Sequence, residues 1–273
     1  MTVTPRFSVA RFAAMSRAEF LKIWASRIPL VILVALPLGI YLFVLELYKV
    51  EGFGDRIHEN ALDALPILFY GTWKSLMFQM AILTFAAFWG TVDSQYGMIR
   101  VACSQPISRL EYVLGKWSAI MAHVAIFAMM LVASELAWTG FYSGMRGIHA
   151  GDVVAVARFG AEIVTFTVAF TSIGMAAASL RRTVGSGIVT AIMSFIFLAF
   201  MTMLSFRVIA PQWVLMRYFS FPLGELKNPF PTSGDSPFIR VHSLAEFYRV
   251  ALLTPLLFML PALIYFRKRD IVE

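Results

Sequence analysis

The sequence predicts an all-α integral membrane protein with six transmembrane helices. Three observations predict it. Of 273 residues, 59% are hydrophobic and 14% charged, against about 45–50% and about 25% in soluble domains. The apolar residues gather in uncharged runs of helical-span length. The net charge of +7 is unevenly divided among the segments that join those runs. A soluble fold of this length has nowhere to hide so much apolar surface, since even a ~300-residue domain buries only about 75% of its unfolded surface. The low charge excludes a solvated, disordered chain. A transmembrane barrel is excluded too, because its strands would alternate apolar and polar residues over about 10 positions.

The chain reads as one domain over 1–273: an amphipathic cytoplasmic helix over 1–27, a six-span bundle over 28–266 and a cytoplasmic tail over 267–273. In the first piece, Thr4 and Pro5 suit an N-cap and first helical position. At 100° per residue Val9, Phe12, Ala13, Phe20, Ile23 and Trp24 share one face, with Ser8, Arg11, Glu19, Lys22 and Ser26 opposite. Ser16 and Arg17 intrude on the apolar side. Such a helix lies in the membrane interface as a lipid anchor, its basic face toward anionic headgroups. The first apolar run starts after residue 27, too late for an ordinary cleavable signal, so it reads as a signal anchor.

Crossing a core about 30 Å thick takes roughly 20 mostly apolar residues. The runs are Ile28–Leu45, Ser75–Val92, Trp117–Ser134, Ile163–Leu180, Thr183–Phe206 and Val250–Phe266. Lys74 and Glu135 flank two of them and fall at interfaces, where long side chains snorkel. The fourth run carries Gly174 and Ala178, the fifth Gly187, Ala191 and Ser194. Small residues four apart let helices approach closely, within this bundle or against a second copy.

Charge sets the orientation. Segments 1–27, 93–116, 181–182 and 267–273 hold 13 of the 23 basic residues and five of the 16 acidic ones. By the positive-inside rule they are cytoplasmic, and so are both termini. The excess charge is then a topology signal and not a nucleic-acid surface. The 24 residues of 93–116 exceed what a bare connection needs, as the four-residue hairpin Arg181–Val184 illustrates. Gly97 can end the second span, Pro106 interrupts again, and Ser108 can cap a turn running through Leu110 and Val113 into the third. The pattern suggests a short interfacial helix offered as a docking surface. The outer segment 207–248 is aromatic at first and proline-rich later, suiting an interfacial or re-entrant piece that caps or gates the bundle.

Sites for chemistry are missing. No G-x-x-x-x-G-K-[ST] run occurs, because Gly115-Lys116 is followed by Trp117. The single cysteine, Cys103, excludes an internal disulfide framework and a cysteine-rich metal site. His123 is alone within a span, which suits a buried hydrogen-bonding residue better than a haem ligand. Glu46, Glu135 and Glu162 map toward outer ends, so proton or sodium coupling lacks its usual buried acid.

The cytoplasmic connection resembles the signature of type-2 ATP-binding-cassette (ABC) transporter permeases. That pattern runs from an acidic residue through Gly-Thr and an apolar stretch to Pro-x-Ser-Arg and Gly-Lys. Asp93, Gly97, Pro106, Ser108, Arg109, Gly115 and Lys116 match it, with Met98 at the threonine position. Ala18-Glu19-Phe20-Leu21-Lys22 is similar to the family's amphipathic entry helix, and Phe266-Arg267-Lys268-Arg269-Asp270 to its closing motif. The resemblance implies a permease subunit in the plasma (inner) membrane that exports amphiphilic or lipophilic cargo such as a peptide, drug or lipid-like molecule. It implies two ATP-binding-cassette ATPase subunits and a second permease, identical or homologous, as partners. ATP and Mg2+ would bind in the ATPase, with no metal, cofactor or catalytic site in this chain. The seven matching residues would form the ATPase-coupling element, and Arg181 and Arg182 offer a second cytoplasmic contact. The alternative is a non-transporting membrane anchor or assembly subunit.

Overall fold

In the computed structural model the described residues are 7–29, 31, 35, 38, 39, 42, 76–98, 107–143, 150–203 and 244–268. Among them every regular element is an α-helix: α1 (Val9–Ala25), α2 (Leu76–Gln95), α3 (Arg109–Ser143), α4 (Ala150–Leu180), α5 (Val184–Met203) and α6 (Leu244–Lys268). Helical structure resumes at 27–29 after a break at Ser26. Thr4, Pro5, Pro106, most of the first apolar run and most of the outer segment 207–248 lie outside the described residues.

Five helices correspond to the second to sixth apolar runs. Helix α3 begins eight residues before its run because Ser108 and Glu111 form a capping box. The Glu111 N–H donates to the Ser108 hydroxyl at 3.2 Å, and the Ser108 N–H donates to the Glu111 carboxylate at 2.6 Å. Helix α2 ends two residues before Gly97, the expected stop, whose φ of 70° is the left-handed conformation glycine adopts without steric cost. Helix α6 continues through Pro255 and Pro261, each of which lacks the N–H of an internal helical bond. Among the described residues one stretch, Arg109–Trp138, is long and apolar enough by itself to cross a bilayer; Thr167–Leu180 and Val184–Phe197 are shorter apolar stretches.

Helix α4 is the hub, packing against α2, α3, α5 and α6. Close approach depends on small residues. A methyl group at Gly174 would lie 2.7 Å from the Ala86 Cβ and 2.8 Å from the Leu83 carbonyl oxygen, and one at Gly90 would overlap Ala178. On the third side Gly187 abuts Thr91, and Ala191 packs with Ala87 and Ala177. The small-residue stripes of the fourth and fifth runs therefore pack inside the bundle. Their partner is a third stripe on α2, Ala86, Ala87 and Gly90, that the sequence reading did not single out.

Helix α1 packs on α3, and here the structure corrects the expected orientation. The buried residues of α1 are Met15, Glu19 and Ile23. Ser8, Arg11 and Glu19 turn inward, while Val9, Leu21 and Trp24 are exposed. Part of the face assigned to water and headgroups meets protein, because the start of α3 and the end of α2 supply the opposite charges; Lys22 of that face stays exposed, and Ile23 and Phe20 of the expected apolar face pack on the core.

Candidate functional site

Asp93, Arg109, Glu111 and Lys116 converge with the charged residues Arg11, Glu19 and Lys22 of α1 at one end of the bundle, ahead of the uncharged stretch of α3. Helix α2 delivers Asp93 two residues before its C-terminus. Helix α3 delivers Tyr112 and Lys116 four residues apart, on one face. Helix α1 delivers Glu19 and Lys22, three apart. Asp93 accepts hydrogen bonds from Lys116 and Lys22 on its two oxygens, and one from the Tyr112 hydroxyl at 2.8 Å. Lys22 also reaches Glu19 at 3.4 Å, and the other Glu19 oxygen stands 3.9 Å from the Lys116 ammonium. Lys116 is fully buried, Asp93 and Glu19 nearly so. A buried ammonium needs an opposing charge and hydrogen bonds to offset its lost hydration. This cluster supplies two carboxylates and a phenol, with the ammonium 5.6 Å from the Tyr112 ring centre.

A second knot lies one turn nearer the start of α3. Glu111, fully buried, accepts hydrogen bonds from the N–H groups of Ser8 and Ser108 at 2.5 and 2.6 Å. It also pairs with the Arg11 guanidinium at 3.1 Å. Ser8 precedes the first residue of α1, so one carboxylate serves the N-termini of two helices, where the unpaired N–H groups and the helix dipole favour negative charge.

Both acids titrate low. Burial alone would raise the Asp93 carboxyl, but the Lys116 and Lys22 ammoniums override it and hold the group at about 2. Burial acts upward on Glu111 as well. The hydrogen bonds from Ser108, Arg11 and Ser8 outweigh it, bringing that carboxyl to about 2.

Gly115 is the crossing point of α1 on α3. A methyl group there would lie 2.8 Å from the Met15 Cγ and 3.3 Å from the Ser16 backbone nitrogen, and the Ser16 and Ser118 hydroxyls meet beside it at 2.8 Å. Arg109 turns to the other end of the chain, donating to the carbonyls of Arg267 at 2.9 Å and Phe266 at 3.4 Å. A guanidinium suits the negative end of the α6 dipole. Arg181 and Arg182 are exposed, and the Arg181 guanidinium donates to the Thr190 hydroxyl at 2.9 Å. Their hairpin is held to α2, since the Val184 N–H donates to the Gln95 side-chain carbonyl at 2.8 Å. Six of the seven expected coupling residues and both hairpin arginines therefore gather at one end of the bundle. Pro106, the seventh, lies outside the described residues.

Glu19, Lys22, Arg11, Glu111 and Tyr112 complete this end, and none of them was singled out as a site residue. Two signals were in the sequence: the Ser108-x-x-Glu111 capping box, and an acid among the cations on one face of α1. His123 is a buried hydrogen-bonding residue as expected. Its Nδ1 donates to the Ala119 carbonyl at 2.9 Å, and its ring lies among Phe20, Trp24, Phe85 and Phe127. Among the described residues no group of three His, Cys, Asp or Glu side chains is placed to hold a metal ion.

No protein-family model, curated protein or solved structure matches this chain.

Proposed function

We propose that the chain is the membrane-spanning permease subunit of an ABC transporter, with six spans, both termini cytoplasmic and the 93–116 connection as the seat of an ATPase. The observation that carries this reading is the riveting of that connection at both ends. Asp93 at its start and Lys116 at its finish bond to each other, Asp93 bonds to Lys22 of α1, and Glu111 ties α1 to the start of α3. A connection anchored in this way can act as a lever. A force on it moves α1, α2 and α3 together, and α4 passes the displacement to α5 and α6. A loose tether would absorb the same force. ATP-driven closure of two partner ATPases would supply the work, and the bundle responds only as far as its contacts with the ATPase differ between the two states. The apolar spans, lined by aromatic, methionine and small side chains, suit export of amphiphilic or lipophilic cargo.

The test is affinity purification of the full chain in mild detergent from its native host, followed by ATP-hydrolysis measurement. Recovery of an ATP-binding-cassette ATPase, with hydrolysis that rises when both are reconstituted in bilayers, supports the reading. A purified complex with no ATPase subunit overturns it.

A further inference from the structure

Helix α5 has two unlike faces. Gly187, Ala191 and Phe195, four residues apart, are buried where α5 packs on α2 and α4. Val189, Met193, Ile196 and Phe197 recur at helical spacing on the other face and are exposed. At the head of that face stand Arg181 and Arg182, both exposed. Arg181 directly follows the apolar stretch Thr167–Leu180, and the apolar stretch of α5 begins at Val184, so with α4 and α5 as spans both arginines stand at headgroup depth. Among the described residues no carboxylate pairs with either one. The Arg181 side chain folds back along α5: its Nε donates to the Thr190 hydroxyl at 2.9 Å. Thr190 lies six residues beyond Val184, about 9 Å along the helix axis. With Nε so engaged, the two Nη nitrogens remain as a fork suited to a phosphate. Gly185, four residues before Val189, adds no bulk: a methyl group there would meet nothing within 4 Å.

We propose that this flank of α5 seats one anionic phospholipid of the cytoplasmic leaflet. Its phosphate lies on Arg181 and Arg182, and its acyl chains lie along Val189, Met193, Ile196 and Phe197. Charge complementarity selects the headgroup, because two cations without a carboxylate favour a net negative lipid over a zwitterionic one. The direction of Arg181 selects lipid over a docked ATPase. A protein seated on the end of the bundle would meet Arg182, but not a guanidinium drawn down the side of α5. A second copy packed in parallel along the same strip would bring four such arginines to one level of the membrane, a like-charge contact that opposes association. The arginine stem runs over apolar surface while its head stays at the headgroups, the usual arrangement for this side chain at an interface. The inference rests on α4 and α5 spanning the membrane and not on an ATPase partner.

The test titrates the full chain in mild detergent with phosphatidylglycerol or with phosphatidylcholine of the same chain length, counting bound lipid by native mass spectrometry. Each basic residue at an anionic headgroup is worth about fivefold in affinity, so wild type should prefer phosphatidylglycerol by about tenfold or more. Arg181→Gln combined with Arg182→Gln should erase that preference. Thr190→Val keeps the charge but releases the guanidinium, and should weaken binding by about twofold or more. Arg267→Gln combined with Lys268→Gln removes two exposed cations from α6 and should leave the preference unchanged. Equal losses in the two double variants would show a net-charge effect and overturn the site. A wild type without headgroup preference, or a dimer that carries no phosphatidylglycerol, overturns it as well. Displacement of the lipid by excess glycerol phosphate, which has no acyl chains, would mark a free-anion site instead. A chain that stays in solution without detergent would overturn the spanning reading itself, an outcome seen before any lipid is added.

Discussion

Glu111→Ala is the perturbation that separates capping from ion pairing at the junction of α1 and α3. The carboxylate makes two hydrogen bonds to backbone N–H groups, from Ser8 and Ser108, and one ion pair with Arg11. Hydrogen bonds to a charged acceptor contribute about 1.5–3 kcal/mol each. Both are only partly buried, so the lower figure applies and the two together come to about 3 kcal/mol. The Arg11 side chain is 36% exposed, and a pair open to solvent on one side adds under about 1 kcal/mol. For a chain of this size 1 kcal/mol shifts the thermal midpoint by about 2–4 °C. Glu111→Ala, which removes the two bonds and the pair, should therefore lower it by about 6–16 °C and Arg11→Ala by no more than about 4 °C. The assay is intrinsic tryptophan fluorescence during heating in detergent, with all variants at one scan rate because irreversible unfolding makes the midpoint depend on scan rate. Equal losses in the two variants would refute the reasoning, since the caps would then contribute nothing beyond the ion pair. A Glu111→Ala midpoint within about 1 °C of wild type would refute it as well.

Two further outcomes follow from the same junction. Gly115→Ala forces a methyl group against Met15 and the Ser16 backbone, an overpacking that costs about 1–3 kcal/mol; Gly185→Ala, where nothing lies within 4 Å, is the control. Equal midpoints for these two variants would show that α1 does not cross α3 at Gly115. Acidification should loosen the junction, because Asp93 and Glu111 both titrate at about 2 when folded, below their ordinary values of 3.8 and 4.5. Their stabilisation is complete above pH 4.5 and is lost as the pH falls through about 2, so the midpoint should drop steadily over that window. A flat or rising profile there contradicts the charge network.

The helices, the left-handed stop at Gly97 and the Ser108 cap were legible because each depends on residues within a few positions of one another. The orientation of α1 was not. A helical wheel separates polar from apolar faces but cannot say what either one meets. The polar face of α1 meets Asp93, Glu111 and Lys116, between 71 and 103 residues away along the chain. Arg109 was named among the expected coupling residues, but its partner was not legible for the same reason. Its match to a docking motif is local, whereas its contact with the end of α6 spans 158 positions. The α2 stripe Ala86, Ala87 and Gly90 was hidden differently: it lies in a run rich in large aromatic residues, and only the partner glycines on α4 and α5 show that it is an interface.

The inward turn of α1 also bears on the charge asymmetry behind the proposed topology. Arg11, Lys22 and Lys116 are engaged with Glu19, Asp93 and Glu111, three cations with three anions, so the junction is neutral as a unit. Removing a neutral unit leaves the excess of basic over acidic residues in the proposed cytoplasmic segments unchanged. It also shifts who carries that excess. Arg17, Arg27, Arg181, Arg182, Arg267 and Lys268 are exposed, and it is residues of this kind that anionic headgroups or a partner surface would meet. The residues closest to the apolar spans spend their charge on one another. On this topology orientation and coupling use separate sets of charges, so neutralising an exposed arginine should weaken the first while leaving the junction intact.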